Sequence, residues 1–179
     1  TSQMAGLMCA AILSDTLMFR SPTCTQIDRE AALRLAEIAE VKVEELALAM
    51  FQAGSNFDNK TEEEILNQDF KIFHAEDVSF GVAQISAMGR TELDKVQERI
   101  EPKLEQMMGE KQIQMIFVML TDILNESTYL IYRGADALQL VAAAYNCEPS
   151  DQGIMLENVV SRKKQLIPAL INTLAERKM

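Results

Sequence analysis

Ile113-Gln-Met-Ile-Phe-Val-Met-Leu120 is a near-continuous apolar run of strand length. A strand with one wet face alternates apolar and polar residues, whereas a strand covered on both faces does not. The run is therefore read as a central strand in a sheet with helices on either side, and its neighbours agree. Upstream, Thr91 to Glu110 carries Leu93, Val96, Ile100, Leu104, Met107 and Met108 on one face, as an amphipathic helix that Pro102 should bend. Further upstream, Phe70 to His74 and Val78 to Ala87, separated by the turn-like Glu76-Asp77, read as a strand pair. Downstream come a strand candidate at Ser127 to Tyr132, a helix at Ala135 to Tyr145 and a last short strand at Ile154 to Val160. Leu166, Ile167, Leu170, Ile171 and Leu174 then outline a terminal amphipathic helix. Residues 62–179 are thus expected to form an α/β domain, a mixed β-sheet flanked by helices.

The first part of the chain differs. Residues 1–53 read as all-helical, with apolar residues at helical spacing over Ile27 to Glu40 and again over Val43 to Ala53. Thr25 or Ser21 can cap the second helix, after Pro22 has stopped the first. Met4 to Phe19 is almost wholly apolar, and a helix apolar all round is normally buried on all sides. The segment is therefore expected to belong to something larger. Gly54 to Lys60 is polar and Gly/Asn-rich, so 54–61 is read as a linker, and Thr61-Glu-Glu-Glu64 as a capped first turn.

Lys and Arg total 17 against 27 Asp and Glu, a net charge of −10, which disfavours nucleic acid or an anionic membrane as the bulk partner. No apolar run approaches the roughly 18–20 residues of a membrane span. Cys9, Cys24 and Cys147, with the single His74, offer neither a zinc pattern nor a disulfide framework. The compartment is read as reducing and cytoplasmic. There is no P-loop, no GxGxxG and no nucleophile–His–acid set.

Four places invite chemistry. Arg162-Lys163-Lys164 is a run of three cations in an acidic chain, placed where a strand should end and a helix begin. Free backbone N–H groups and the helix dipole suit an anion there, Ser161 could add a hydroxyl donor, and Arg162 could bind two phosphate oxygens. The alternatives are a solvated basic turn or a cluster neutralised by nearby acids. Lys71 opens a strand, where an exposed edge lysine is unremarkable. Asp15 is a carboxylate in the most apolar segment, open to three readings: a cap, an ion pair with Arg20, or a metal ligand. Asp122 follows the buried strand and is read chiefly as a loop cap, with a functional role as the alternative.

Ala5 to Thr25 (AGLMCAAILSDTLMFRSPTCT), Thr121-Asp-Ile-Leu124 and Val159-Val-Ser-Arg-Lys-Lys-Gln165 closely resemble the family II inorganic pyrophosphatases, manganese- or cobalt-dependent members of the DHH phosphohydrolase superfamily. The resemblance implies a DHH domain holding a dinuclear Mn2+ or Co2+ centre and a DHH-associated domain that closes on pyrophosphate, which arrives with Mg2+. It implies that Asp15 is a metal-ligand aspartate and that Lys71, Arg162 and Lys163 grip the substrate. The family's His-x-x-x-Asp-x-Asp segment, bridging Asp and Asp-His-His motif have no counterpart here. The chain thus resembles the end of the DHH domain (1–53) plus the whole DHH-associated domain (62–179). The resemblance supplies no catalytic group beyond the clamp, and the isolated chain is expected to be inactive. The missing DHH half, or a second copy, is expected to pack on residues 4–19. A DHH-type polyphosphatase and a non-catalytic phosphate-binding module are the competing functions.

Overall fold

The computed structural model describes residues 1–177. These form two compact units, Thr1–Asn56 and the remainder from Phe57. The first unit contains α1 (Ser2–Asp15), α2 (Gln26–Ala39) and α3 (Val43–Gly54). Small residues let α1 and α2 approach closely: Ala5, Cys9, Ala32 and Ala36 are buried, and the Cys9 thiol donates to the Ala32 carbonyl at 3.4 Å. Thr25 begins α2 with a reciprocal capping box, its hydroxyl accepting from the Asp28 amide while the Asp28 carboxylate accepts from the Thr25 amide. Complete burial of α1, as its composition suggests, is not achieved within this unit. Met4, Leu7 and Met8 stay exposed, because α2 and α3 cover only the side carrying Ala5, Cys9 and Leu13.

The second unit is an α/β sandwich on one five-stranded mixed sheet in the order β1-β2-β3-β4-β5. After the short α4 (Glu62–Asn67), capped by Thr61 and Glu64, β1 (Phe70–Ala75) and β2 (Val78–Ala87) form the expected antiparallel hairpin. The chain then crosses through α5 (Arg90–Ile100), a 3-10 turn at Glu101–Lys103 and α6 (Leu104–Lys111). Pro102 explains the interruption, since it offers no amide to the helical ladder. β3 (Met115–Asp122) pairs parallel to β2 and is buried at every residue, as its apolar run requires. β4 (Ser127–Arg133) and β5 (Ile154–Glu157) complete the sheet antiparallel, with α7 (Ala137–Tyr145) between them. A π-helical turn, Arg162–Leu166, leads into α8 (Ile167–Glu176).

Period-two alternation sends side chains to two cores. Phe80, Val82, Phe117, Met119 and Leu130 face α7 and α8, while Ala83, Ile85, Ile116, Val118 and Ile131 face α4, α5 and α6. No helix among the described residues is long and apolar enough to cross a membrane.

Tyr145 ends α7 with its hydroxyl sealed and without a hydrogen-bond partner among the described residues, and burial pushes its ionisation up to about 12. A buried hydroxyl with no partner is a net cost, so Tyr145→Phe is expected to stabilise the fold by about 1 kcal/mol. The pH dependence has a definite sign. Between the ordinary tyrosine value of 10.0 and about 12 the unfolded chain ionises first, so the native protein loses stability as pH rises through that window. The phenylalanine variant lacks that loss. Urea midpoints followed by circular dichroism near neutrality and near pH 11 check both statements.

Candidate functional site

The candidate anion site is built on the segment between β5 and α8. The strand ends at Glu157, three residues earlier than the apolar pattern suggests, because Asn158 adopts a left-handed φ of 59° and turns the chain out of the sheet. Val159, Val160, Ser161 and Arg162 are nonetheless buried, so their backbone groups need partners inside the protein. A directional chain of side chains supplies part of the need. Gln84 of β2 donates to the Thr121 hydroxyl (3.2 Å), which lies 3.0 Å from that of Thr128 on β4. Thr128 donates to the Val159 carbonyl at 2.5 Å, and Gln84 also donates to the Val160 carbonyl at 3.0 Å. Three neighbouring strands therefore hold this segment by its carbonyls.

Gln165 ties it from the other side. Its Oε1 accepts from the amides of Val160 and Ser161, each at 2.9 Å, and its Nε2 donates to the Asn158 carbonyl at 2.6 Å. The Ser161 hydroxyl accepts from the Lys164 amide at 3.2 Å and so caps the helix, a role that leaves its own O–H free to donate. Three of the amides around the turn are thereby taken by protein. The wider π-helical geometry places both the Gln165 and Leu166 amides on the Ser161 carbonyl, at 3.0 and 3.3 Å. Gln165→Ala strands two buried amides, and it is expected to cost about 2 kcal/mol of stability, read as a shift in urea midpoint.

Arg162 departs from the simple picture of a surface cation. It is only 8% exposed, and protein groups already occupy part of its guanidinium. Nη1 donates to the carbonyls of Asp69 (2.7 Å) and Val82 (3.2 Å), and Nη2 donates to the Asp69 carboxylate at 2.7 Å. Neutralisation by a nearby acid, one of the alternatives weighed from sequence, thus holds for one edge of this residue. The Nε–H and the second Nη2 hydrogen have no acceptor among the described residues. Lys163 and Lys164 are exposed and make no ion pair among the described residues. Lys71 is exposed on β1 directly across from Val82, whose carbonyl accepts from Arg162, and it lies two residues after Asp69. Arg162 therefore reaches the Asp69–Val82 end of the β1–β2 hairpin, where Lys71 holds the register position opposite Val82, and Lys163 follows Arg162 in the chain.

Asp122 is a loop cap: Oδ1 accepts from the amides of Leu124 (3.0 Å) and Asn125 (3.1 Å), and Oδ2 from the Asn125 side chain (2.8 Å). His74 is exposed on the edge strand, as its isolation in the sequence suggests.

Asp15 lies in the other unit as the last residue of α1. It is exposed rather than embedded, and its carboxylate makes no hydrogen bond or ion pair among the described residues. An acid at a helix C-terminus faces the negative end of the dipole, a placement that local helix energetics disfavour. Directly after it the chain makes a left-handed turn through Leu17, Met18 and Phe19, with φ of 47°, 52° and 68°. Such a turn costs roughly 1–2 kcal/mol per residue for side chains other than glycine. It is held by Thr16, whose hydroxyl donates to the Ile12 carbonyl (2.7 Å) and accepts from the Phe19 amide (3.2 Å), and by the Met18 amide on the Leu13 carbonyl (2.8 Å). Among the described residues no three His, Cys, Asp or Glu side chains come together to hold a metal. Asp15 alone does not build a dinuclear centre.

The comparisons agree on one family. Residues 48–173 match the DHHA2 domain family. The chain is 37% identical over 174 residues to the manganese-dependent inorganic pyrophosphatase of Bacillus subtilis, covering 97% of this chain and 56% of that enzyme. It is 38% identical over 175 residues to the cobalt-dependent inorganic pyrophosphatase of Clostridium perfringens, covering 98% of this chain and 32% of that one. A crystal structure from Methanococcus jannaschii, provisionally assigned to the family II inorganic pyrophosphatases, is similar with a TM-score of 0.85 and 33% identity, over 97% of this chain and 56% of the other. The chain thus spans about half, or less, of the length of these relatives.

Proposed function

This chain belongs to the DHHA2 domain family and is related to the manganese-dependent inorganic pyrophosphatases, and on that premise we propose that it is the substrate-clamping part of such an enzyme. Its substrate is pyrophosphate, and its product two phosphates. Lys71, Arg162 and Lys163 bind the anion, and Asp15 contributes one carboxylate to a metal centre whose other ligands lie outside these 179 residues. Manganese or cobalt at that centre, with Mg2+ accompanying pyrophosphate, would supply Lewis-acid chemistry when bound. The exposed apolar side of α1, with Met4, Leu7 and Met8, is the surface on which the remainder of the enzyme packs.

One observation supports the proposal: in a chain of net charge −10, the buried Arg162 reaches back to Asp69 and to Val82, the register partner of Lys71, with part of its donor set unused. Burial and internal tethers hold the guanidinium in place before the anion arrives, so little ordering remains to be done at binding. Lys71 and Lys163, on flexible stems, add charge without fixed geometry.

Titration of the 179-residue chain with pyrophosphate and with inorganic phosphate, followed by calorimetry at low ionic strength, tests the clamp. Saturable binding is expected, weakened several-fold in Lys71→Ala and in Lys163→Ala. Equal behaviour of wild type and both variants would remove the clamp. No metal-dependent phosphate release is expected from this chain; steady turnover with added manganese would overturn the division of labour proposed here.

A further inference from the structure

An arginine side chain presents two edges that can each grip a pair of oxygens: Nη1 with Nη2, and Nε with Nη2. Asp69 fills the first with two different acceptors of a single residue, its carbonyl on Nη1 and its carboxylate on Nη2, both at 2.7 Å. The Val82 carbonyl takes the remaining Nη1 hydrogen at 3.2 Å. Only the Nε/Nη2 edge is left, and its two parallel N–H bonds match two oxygens of one phosphoryl group. The Asp69 side chain is 47% exposed, whereas that of Arg162 is 9% exposed. The carboxylate therefore stands at the rim of the site, where its charge acts on any incoming anion as well as on the arginine.

Resting on the clamp proposed above, we infer that Asp69 is a positioning residue for the anion and at the same time its built-in competitor. Its two acceptors aim the Nε/Nη2 edge of Arg162 at phosphate, and its negative charge weakens phosphate binding, which favours release of product. The two effects separate by substitution. Asp69→Asn keeps the Oδ1 acceptor and removes the charge. Asp69→Ala removes both.

The experiment titrates inorganic phosphate into the 179-residue chain at low ionic strength, by calorimetry and by 1H–15N NMR of the arginine Nε–H signals. The Arg162 signal is assigned by its loss in Arg162→Lys. In the wild type, phosphate should shift that Nε–H resonance saturably; this readout needs no Asp69 variant, and an unmoved resonance sinks the inference. Asp69→Asn should bind phosphate about three- to tenfold more tightly, as expected for removing one charge a few ångströms from the ligand at the protein surface. Asp69→Ala should bind at least about threefold more weakly than Asp69→Asn and show a smaller Nε–H shift, because one of the tethers aiming the fork is lost. Equal affinity of the two variants overturns the positioning role, and an Asp69→Asn affinity no tighter than wild type overturns the competitor role. If phosphate binds through Arg162 and both Asp69 variants match wild type, the clamp stands and only this inference falls. If phosphate leaves Arg162 untouched in the wild type, both fall.

Discussion

Arg162→Ala is expected to abolish measurable phosphate binding by this chain and to lower its stability by about 2–3 kcal/mol. The stability loss follows from what the guanidinium holds. It donates to the carbonyls of Asp69 and Val82 and to the Asp69 carboxylate, so its removal strips three acceptors of charged donors at once. Breaking a fully buried pair costs more, about 3–5 kcal/mol. Here the Asp69 side chain is 47% exposed, and water recovers part of its solvation. The binding loss follows from the proposed clamp, because its other two cations, Lys71 and Lys163, offer no fixed pair of donors. Arg162→Lys keeps the charge without the fork, and it should retain part of the stability while binding phosphate only weakly. In the longer enzyme to which this chain is proposed to belong, the alanine change should lower kcat/KM for pyrophosphate about 10²- to 10³-fold. Calorimetric titration and urea unfolding of the three proteins decide the matter; an alanine variant that binds phosphate like wild type contradicts the assignment.

Phe117→Ala should cost about 3–5 kcal/mol, the largest stability effect expected of a single truncation here. Phe117 is fully buried in β3 and meets Phe80 edge-to-face, with ring centroids 5.8 Å apart and planes at 90°. Its loss leaves a cavity that the central strand cannot close, since β3 is fixed on both sides by pairing with β2 and β4. Phe117→Leu refills most of that volume and should cost clearly less, about 1–1.5 kcal/mol. The chain has no tryptophan, and its three tyrosines, Tyr129, Tyr132 and Tyr145, all lie in the second unit. Intrinsic tyrosine fluorescence in urea therefore reports on the second unit alone. A change below about 1 kcal/mol for the alanine variant would mean that the strand is less tightly packed than described.

Much of the sheet was legible because its signals are local. The apolar run at 113–120 marks the central strand; Glu76-Asp77 marks the hairpin, and Thr61 followed by Glu64 marks a capped helix start. Pro102 marks the interruption between α5 and α6. The early end of β5 was not legible. Val159 and Val160 have the residue type of a strand, but their carbonyls are bound by a polar chain from Gln84, Thr121 and Thr128, which the spacing of those three residues does not reveal. The left-handed turn after Asp15 was equally hidden, since leucine, methionine and phenylalanine are unfavourable in that conformation and it is held by hydrogen bonds of Thr16 and of the Met18 amide.

At the candidate site the division is sharp. Reading residues in order singled out Arg162 and Lys163, because a run of cations in an acidic chain is a property of neighbouring positions, whereas Lys71 read as an ordinary edge lysine and was raised only by the family resemblance. Only the folded molecule reveals Asp69, which reaches Arg162 across 93 residues of chain. Hydrophobic period and helix capping are settled within a turn or two of backbone. The partner of a buried side chain depends instead on sheet register and on the path of the chain between distant elements. Strand pairing brings Asp69 and Val82 together, the turn at Asn158 aims Arg162 at them, and the edge of the guanidinium left open is the one those contacts do not use.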